Sequence, residues 1–145
     1  MQKSQFENLK RYNHLLGEME ATYHTAALHF GLSDSVEMVL YTFCNFGDSC
    51  PLNDFSRYTG LTKQTLHSAM VKLADEGMIT LEAVNGKAKR VCLTDAGREL
   101  ANRTSRRIFD MENEIFASWS DEDVQKYVQL TERFLDALRE KVARL

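Results

Sequence analysis

The sequence has little of what marks membrane-spanning or multi-domain proteins. It holds one proline, Pro51, in 145 residues, and it shows no low-complexity linker and no internal repeat, so we expect a single domain over residues 1–145. No apolar run approaches the roughly 20 residues needed to cross a bilayer. The first residues also lack the apolar core of a signal peptide. We therefore expect a cytoplasmic protein.

The sequence also lacks the residue patterns of enzymes and metal sites. Its three cysteines form no CxxC pair, which makes a disulfide framework unexpected. His14, His24 and His29 are separated by ten and five residues and so do not share the i, i+4 face of a helical metal site. No nucleophile elbow, phosphate loop or paired histidine and carboxylate is present. We expect no enzymatic activity, no metal and no other cofactor.

The charge that the sequence does carry is separated along the chain. The net charge is −3, but nine acidic residues fall within residues 110–145. Residues 56–74 contain three cations and no acid, and residues 85–98 contain four cations and one acid. Because phosphate binding depends on local rather than total charge, the middle of the chain suits a nucleic-acid partner.

The spacing of apolar residues predicts a mainly α-helical chain. Steps of three or four predict a first helix over residues 4–30, and Ser33 is expected to cap a second helix. Pro51 suits the first turn of a short third helix that ends near residue 58. The inward-facing residues of this third helix would be Leu52, Phe55 and Tyr58.

A fourth helix and a hairpin are expected next. Thr62 would cap a helix over residues 63–76, with its buried side formed by Leu66, Ala69, Met70 and Leu73. Residues 78–84 and 89–93 are then expected to be strands joined by Asn85-Gly86, a turn signal because both residues tolerate a positive φ.

Two helices are expected to complete the chain. A long fifth helix would begin at Thr94-Asp95 and reach about Ser118. Ser120 and Asp123 resemble a capping box, which predicts a sixth helix to the C-terminus.

Helix, glycine turn, helix and hairpin in this order are typical of a winged helix-turn-helix. The fourth helix would enter the major groove, where Gln64 can pair with adenine and Lys63 with guanine or a phosphate. The cations of the wing suit the negative potential of a narrow minor groove. The predicted DNA-binding residues are Thr62, Lys63, Gln64, Thr65, His67, Ser68, Lys72, Lys87, Lys89 and Arg90.

Two stretches resemble the MarR family of transcriptional regulators. Residues 61–79 (LTKQTLHSAMVKLADEGMI) are similar to its recognition helix and the strand that follows. Residues 87–100 (KAKRVCLTDAGREL) are similar to its wing and next helix, in which Leu-Thr and then Gly recur. The family wing commonly has an acidic residue followed two positions later by arginine, where this sequence has Asn85 and Lys87. Lysine keeps the charge but lacks the planar fork of arginine.

The resemblance covers the whole chain and implies a homodimer. Residues 33–95 would form the DNA-binding core, and residues 1–30 and 96–145 would be dimerisation helices. Apolar stripes on the first and last helices agree with this, because a small domain cannot cover them alone. A two-fold dimer would bind a pseudo-palindromic operator of double-stranded DNA. The family also implies a repressor of bacterial genes that responds to a small ligand or an oxidant.

The effector site is implied only in outline. By resemblance, Tyr12, Tyr23, Tyr41 and Phe43 would line a pocket for a small aromatic ligand. Cys50, in a polar stretch beside Pro51, is the best candidate for a redox-active thiol, with a structural or idle role as the alternative.

An adaptor function is the other hypothesis for the whole chain. Winged helices also bind proteins, so a protein-interaction adaptor that binds no operator stays open beside the DNA-binding regulator.

Overall fold

The computed structural model describes residues 2–86 and 88–145, and over these it contains seven helices and three strands. In chain order the elements are α1 (Lys3–His29), α2 (Asp34–Phe46), β1 (Ser49–Pro51), α3 (Leu52–Thr59), α4 (Lys63–Asp75), β2 (Ile79–Asn85), β3 (Ala88–Leu93), α5 (Asp95–Arg103), α6 (Ser105–Ser118) and α7 (Asp121–Val142). The chain divides into two compact units, Met1–Phe109 and Asp110–Leu145. None of the described helices is long and apolar enough to cross a membrane.

The helices begin where their capping residues predict. Ser33, Thr62 and Ser120 each accept a hydrogen bond from the backbone N–H three residues further on. Such a bond satisfies one of the N–H groups that the first helical turn leaves unpaired. The predicted starts of α2, α4 and α7 are therefore confirmed.

The hydrophobic core of the first unit lies between α2, α3, α4 and the sheet. Phe55 of α3 and Leu73 of α4 are fully buried, and the ring of Phe55 packs edge-to-face on Phe43 with centroids 5.2 Å apart. The predicted inward face of α4 is confirmed, since its buried residues are Leu66, Ala69, Met70 and Leu73.

The inward placement of Tyr58 is wrong. Its side chain is 56% exposed, and its ring packs edge-on against Phe46 with centroids 5.0 Å apart. Helix α3 has only eight residues and buries Phe55 and Thr59. Tyr58 lies about 100° from Thr59 around the helix, which places its side chain beside the buried face rather than on it.

A strand precedes α3 where the sequence predicted a polar loop and the first helical turn. Ser49–Pro51 forms β1, whose residues pair antiparallel with Cys92, Val91 and Arg90 of β3. Pro51 is the last residue of that strand and, with ψ near 135°, the N-cap of α3. Its assignment to the first helical turn is therefore wrong by one residue.

The three strands form an antiparallel sheet in the order β1-β3-β2. Asn85 is the last residue of β2 and pairs with Ala88, after a register shift between Ala83 and Asn85. Gly86 has a φ of 49°, and among the described residues only glycines have a positive φ. The hairpin is confirmed, but Asn85, which was predicted to lie in its turn, is a residue of β2. The whole arrangement is a mainly α-helical winged helix-turn-helix, as expected.

The predicted long fifth helix is two helices. Thr104 separates α5 from α6 with φ −126° and ψ −95°, which is not helical. Its hydroxyl donates to the carbonyl of Leu100 at 2.6 Å, and the buried hydroxyl of Ser105 donates to the carbonyl of Glu37 at 3.2 Å. Hydroxyl side chains that bond to backbone compete with the helical ladder, and here they accompany its interruption.

Gly97 permits a close approach between α5 and the start of the wing. A Cβ at this position would overlap the carbonyl oxygen of Met78. That carbonyl accepts the N–H of Thr94 at 3.0 Å, while the Thr94 hydroxyl donates to the carbonyl of Gly77 at 2.6 Å. The backbone and the side chain of Thr94 thus join the start of α5 to the residues that follow α4.

Two helices leave their apolar residues exposed. In α1 only Ala27 is buried, and the large apolar residues with exposed side chains are Phe6, Leu9, Tyr12, Leu15, Leu16, Met19, Tyr23 and Leu28. Helix α7 buries no residue, and its exposed large apolar residues are Tyr127, Val128, Leu130, Phe134, Leu135, Leu138 and Val142.

An aromatic cluster packs the bend between α6 and α7 in the second unit. The ring centroids of Phe116 and Trp119 are 5.6 Å apart, and Tyr127 lies 6.2 Å from Phe116 and 5.6 Å from Trp119. Edge-to-face packing of this kind stabilises the bend.

Candidate nucleic-acid interface

Helix α4 has a buried face and an exposed polar face. The exposed residues predicted to contact DNA on it are Lys63, Gln64, Thr65, His67, Ser68 and Lys72. The opposite face carries the core residues Leu66, Ala69, Met70 and Leu73. Burial therefore fixes which side of α4 faces outward and brings the predicted residues together on that side.

Hydrogen bonds organise the start of α4. The hydroxyl of Thr62 accepts the N–H of Thr65 at 3.2 Å and donates to the Thr65 hydroxyl at 3.0 Å. Both threonines are exposed at the positive end of the helix dipole, which attracts anions such as phosphate. The hydroxyl of Ser68 donates to the carbonyl of Gln64 at 3.1 Å, so its lone pairs face outward.

Val71 of α4 was missing from the predicted residues. Its side chain is 42% exposed although it is apolar. The sequence indicates that Val71 lies on this exposed face, since it follows Gln64 by seven residues and therefore shares its helical face.

Of the cations predicted for the wing, the structure describes Lys89 and Arg90. Lys89 of β3 is exposed, whereas Lys87 lies outside the described residues. Arg90, which was predicted to contact DNA, instead bonds to β1. Its Nε donates to the Ser49 hydroxyl at 2.8 Å and a terminal nitrogen donates to the Ser49 carbonyl at 3.2 Å. Arg90 is half-buried and holds β3 to β1, which leaves it less available to a phosphate.

Arg98 joins the base of the wing to the loop before β1. Its guanidinium donates to Asp48 at 2.9 Å and to Asp95 at 3.0 Å. The hydrogen bond to Asp48 is the main reason that the pKa of Arg98 is raised. In addition, the Asp48 carbonyl accepts the N–H of Leu93 at 2.8 Å. Arg98 thus positions the wing, and its positive charge is matched by two carboxylates.

Solved structures with the same arrangement are MarR family regulators. One from Neisseria meningitidis superposes with a TM-score of 0.82 at 16% identity, covering 94% of this chain and 97% of that one. Sco3205 from Streptomyces coelicolor, solved in complex with DNA, gives a TM-score of 0.75 at 15% identity, covering 95% and 89%. The MepR–DNA complex from S. aureus gives 0.65 at 18% identity, covering 95% and 98%. The chain has the fold of the MarR family regulators. No protein-family model and no curated protein matches the sequence.

Within this MarR fold, Cys50 does not lie in an exposed loop. It is fully buried in β1, and its thiol contacts the carbonyl of Pro51 at 3.5 Å. Burial, and to a lesser degree the charge of Asp54, raises the pKa of Cys50 to about 11 despite the opposing effect of Arg90. A sensing thiol needs exposure and a lowered pKa. The prediction of Cys50 as the redox-active thiol is therefore wrong, because the thiol is buried and its pKa is raised.

The four residues proposed for an effector pocket of the MarR type are not gathered in one place. Phe43 is 3% exposed and belongs to the core. Tyr41 packs on Phe109 with ring centroids 5.9 Å apart. Tyr12 and Tyr23 are exposed on α1, eleven residues and so roughly 16 Å apart along the helix. One small ligand cannot contact all four side chains, and the inclusion of Phe43 is wrong because it fills the core.

Proposed function

We propose that the chain is a homodimeric transcriptional regulator that binds double-stranded DNA at a pseudo-palindromic operator. The observation that carries this is the exposed face of α4, which is polar and basic and lies opposite the side that anchors the helix in the core. A helix held in this way fits the major groove, and the adjoining hairpin fits the neighbouring minor groove.

The second copy is inferred from the helices outside residues 33–95. Each of α1 and α7 has a stripe of large apolar side chains that are about half exposed. Soluble monomers rarely expose apolar patches of this extent, and a two-fold dimer would cover both stripes. Such a dimer presents two copies of α4, which fits half-sites roughly one DNA turn apart.

The solved structures with this fold support a DNA-binding regulator that responds to a small molecule. MepR and Sco3205 were solved bound to DNA, PcaV from Streptomyces coelicolor was solved with its natural ligand, and 6-hydroxynicotinic acid regulates DNA binding by BpsR from Bordetella bronchiseptica. By analogy, we assign to this chain a cytoplasmic repressor of bacterial genes, with a small molecule or an oxidant as effector and with no catalytic activity.

The first experiment is selection of duplex DNA from a random pool, followed by titration of the winning duplex at several salt concentrations. A two-fold-symmetric site with a steep salt dependence is expected, because phosphate contacts release counterions. Sedimentation of the protein alone and with the duplex would give the number of chains bound. Failure to enrich any duplex, under reducing conditions and after refolding to remove bound effector, would favour the adaptor hypothesis.

Substitution of two lysines, one on α4 and one elsewhere, provides a matched test of the DNA-binding face. Lys63→Ala should weaken binding to all sequences and lower the slope of log K against log salt by about 2, since the dimer loses one phosphate contact in each half-site. Lys3→Ala removes the same charge from an exposed position at the start of α1 and should change neither quantity. Equal effects of the two substitutions would contradict the assignment of α4 as the DNA-binding helix.

Gln64→Ala should behave differently from the lysine variant. Loss of a bidentate contact to one base should relax the preference at one position of each half-site, by roughly 1–3 kcal/mol. Repeating the selection with this variant measures the change. An unaltered sequence preference would remove Gln64 from the base-contacting set.

A further inference from the structure

An apolar side chain lies within the polar face of α4. Every residue of α4 is described, and Val71 is its one large apolar residue that is not buried; it is 42% exposed. Isolated apolar residues on a surface are common. Val71 differs because of the residues with which it shares its face.

Two series of residues with the same spacing run along α4. Leu66, Ala69, Met70 and Leu73 are buried, and Gln64, His67, Ser68 and Val71 are exposed. Each series has the spacing i, i+3, i+4, i+7, and a displacement of two residues places them about 200° apart around the helix. Val71 therefore lies on the line of side chains that points directly away from the core. Homeodomain recognition helices place their base-contacting residues at this same spacing.

The major groove presents one apolar group to a protein. Guanine, cytosine and adenine offer hydrogen-bond donors and acceptors, whereas thymine also offers its 5-methyl group. A valine side chain can make no hydrogen bond, so this methyl group is the partner that matches its chemistry. We propose that Val71 contacts the 5-methyl group of a thymine in each half-site and is a specificity-determining residue of the DNA interface. This rests on the proposed DNA-binding function.

The neighbours of Val71 on this face define what surrounds the methyl contact. The Ser68 hydroxyl donates its hydrogen to the carbonyl of Gln64 at 3.1 Å. Its oxygen can therefore accept a hydrogen bond from an amino group of adenine or cytosine. Gln64 and Val71 are seven residues apart, or about 10.5 Å along the helix. The thymine therefore belongs to a different base pair from the one that Gln64 contacts, roughly two or three base pairs away given a rise of about 3.4 Å per base pair.

Deoxyuridine tests the contact because it differs from thymidine only by the missing methyl group. In the duplex obtained by selection, each thymine is replaced in turn by deoxyuridine, and binding is measured for the native chain and for Val71→Ala. At one thymine per half-site, the native chain should lose about fourfold in affinity on loss of the methyl group. Val71→Ala removes the contact from both half-sites of the dimer, so it should bind the thymine duplex about sixteenfold more weakly and should not distinguish it from the deoxyuridine duplex. The other thymines serve as internal controls.

Further measurements separate this contact from a general disturbance of α4. Alanine is a better helix former than valine and changes no charge, so the melting temperature should not fall and the salt slope should stay that of the native chain. Val71→Thr, which keeps one of the two methyl groups, should restore part of the preference for thymine.

The outcomes distinguish the two proposals. If the native chain binds a duplex but no thymine position couples to Val71, the two losses are additive and the methyl contact is overturned while the DNA-binding function stands. If the native chain enriches no duplex at all, the DNA-binding function falls and the contact falls with it.

Discussion

Helices α4 and α7 carry the same kind of apolar pattern and have opposite surroundings. In α4 the residues Leu66, Ala69, Met70 and Leu73 are buried by other parts of the same chain. In α7 no residue is buried, although its apolar residues recur at the same steps of three and four. The periodicity therefore shows which face of a helix must be covered, but not whether the chain itself covers it.

The charge differs between the two helices in a related way. The first turn of α7 contains Asp121, Glu122 and Asp123, whereas that of α4 contains no acid. Acidic residues in a first turn stabilise the helix through its dipole. In α4 that end is left positive, which suits an anionic partner. Acidic residues that stabilise a helix terminus contribute to the net negative charge of the chain. The net charge therefore says little about the charge of the DNA-binding face.

Substitution of one leucine in each helix should expose the contrast most strongly. Leu73→Ala in α4 should lower the free energy of unfolding by roughly 2–5 kcal/mol, since it leaves a cavity in the core. Leu138→Ala in α7, where the side chain is 47% exposed, should cost much less at low protein concentration and should raise the dissociation constant of the dimer. Denaturant titrations at several concentrations, with sedimentation, measure both effects. A large loss from Leu138→Ala that does not depend on concentration would show that the chain itself covers α7.

Two glycines give the next contrast. Gly97→Ala should destabilise the protein by about 3 kcal/mol, because its methyl group overlaps the carbonyl oxygen of Met78 and the backbone has to move. At Gly17 of α1, no atom other than those of its chain neighbours and the nearby backbone of α1 lies within 4 Å of the point that an alanine methyl group would occupy, so Gly17→Ala should stabilise the protein by up to roughly 1 kcal/mol through helix propensity. Thermal denaturation of both variants checks the signs. If both substitutions are tolerated equally, the close approach of α5 to the base of the wing is absent in solution.

A third effect, seen only at high pH, concerns the buried thiol in β1. The pKa of Cys50 is raised by burial from 9.0 to about 11, so the unfolded chain releases this proton at a lower pH than the folded chain does. The free energy of unfolding should therefore fall as the pH rises from 9 to 11, by roughly 2 kcal/mol from this group. Cys50→Ala lacks the contribution, and the difference between the pH profiles of the two proteins isolates it. Parallel profiles would mean that the thiol is not buried in solution.

Much of the fold could be predicted because its signals are local. The caps Ser33, Thr62 and Ser120 lie within three residues of the groups that they bond, and the buried series of α4 follows from helical spacing alone. The exposed residues of the candidate interface follow too, because burial of one face of α4 fixes the other. For the same reason Val71 could have been found from its distance to Gln64.

What could not be predicted depends on partners that are distant in the sequence. Arg90 is bonded to Ser49, 41 residues earlier, and no local pattern distinguishes it from the exposed Lys89. Strand β1 has three residues, too few for an alternation to appear, so the burial of Cys50 was not visible either. The break at Thr104 coincides with a bond from Ser105 to Glu37, a contact between residues 68 positions apart.

In the sheet order β1-β3-β2, the two strands of the wing differ in how many neighbours hold them. Val91 of β3 lies opposite Cys50 on one side and Leu81 on the other, so the central strand cannot separate without breaking two ladders. Strand β2 has a partner on one side only, and amide hydrogens on its outer edge exchange with solvent without any strand moving. We therefore expect the backbone of β3 to be the most slowly exchanging part of the hairpin, and β2 to be the strand that separates first.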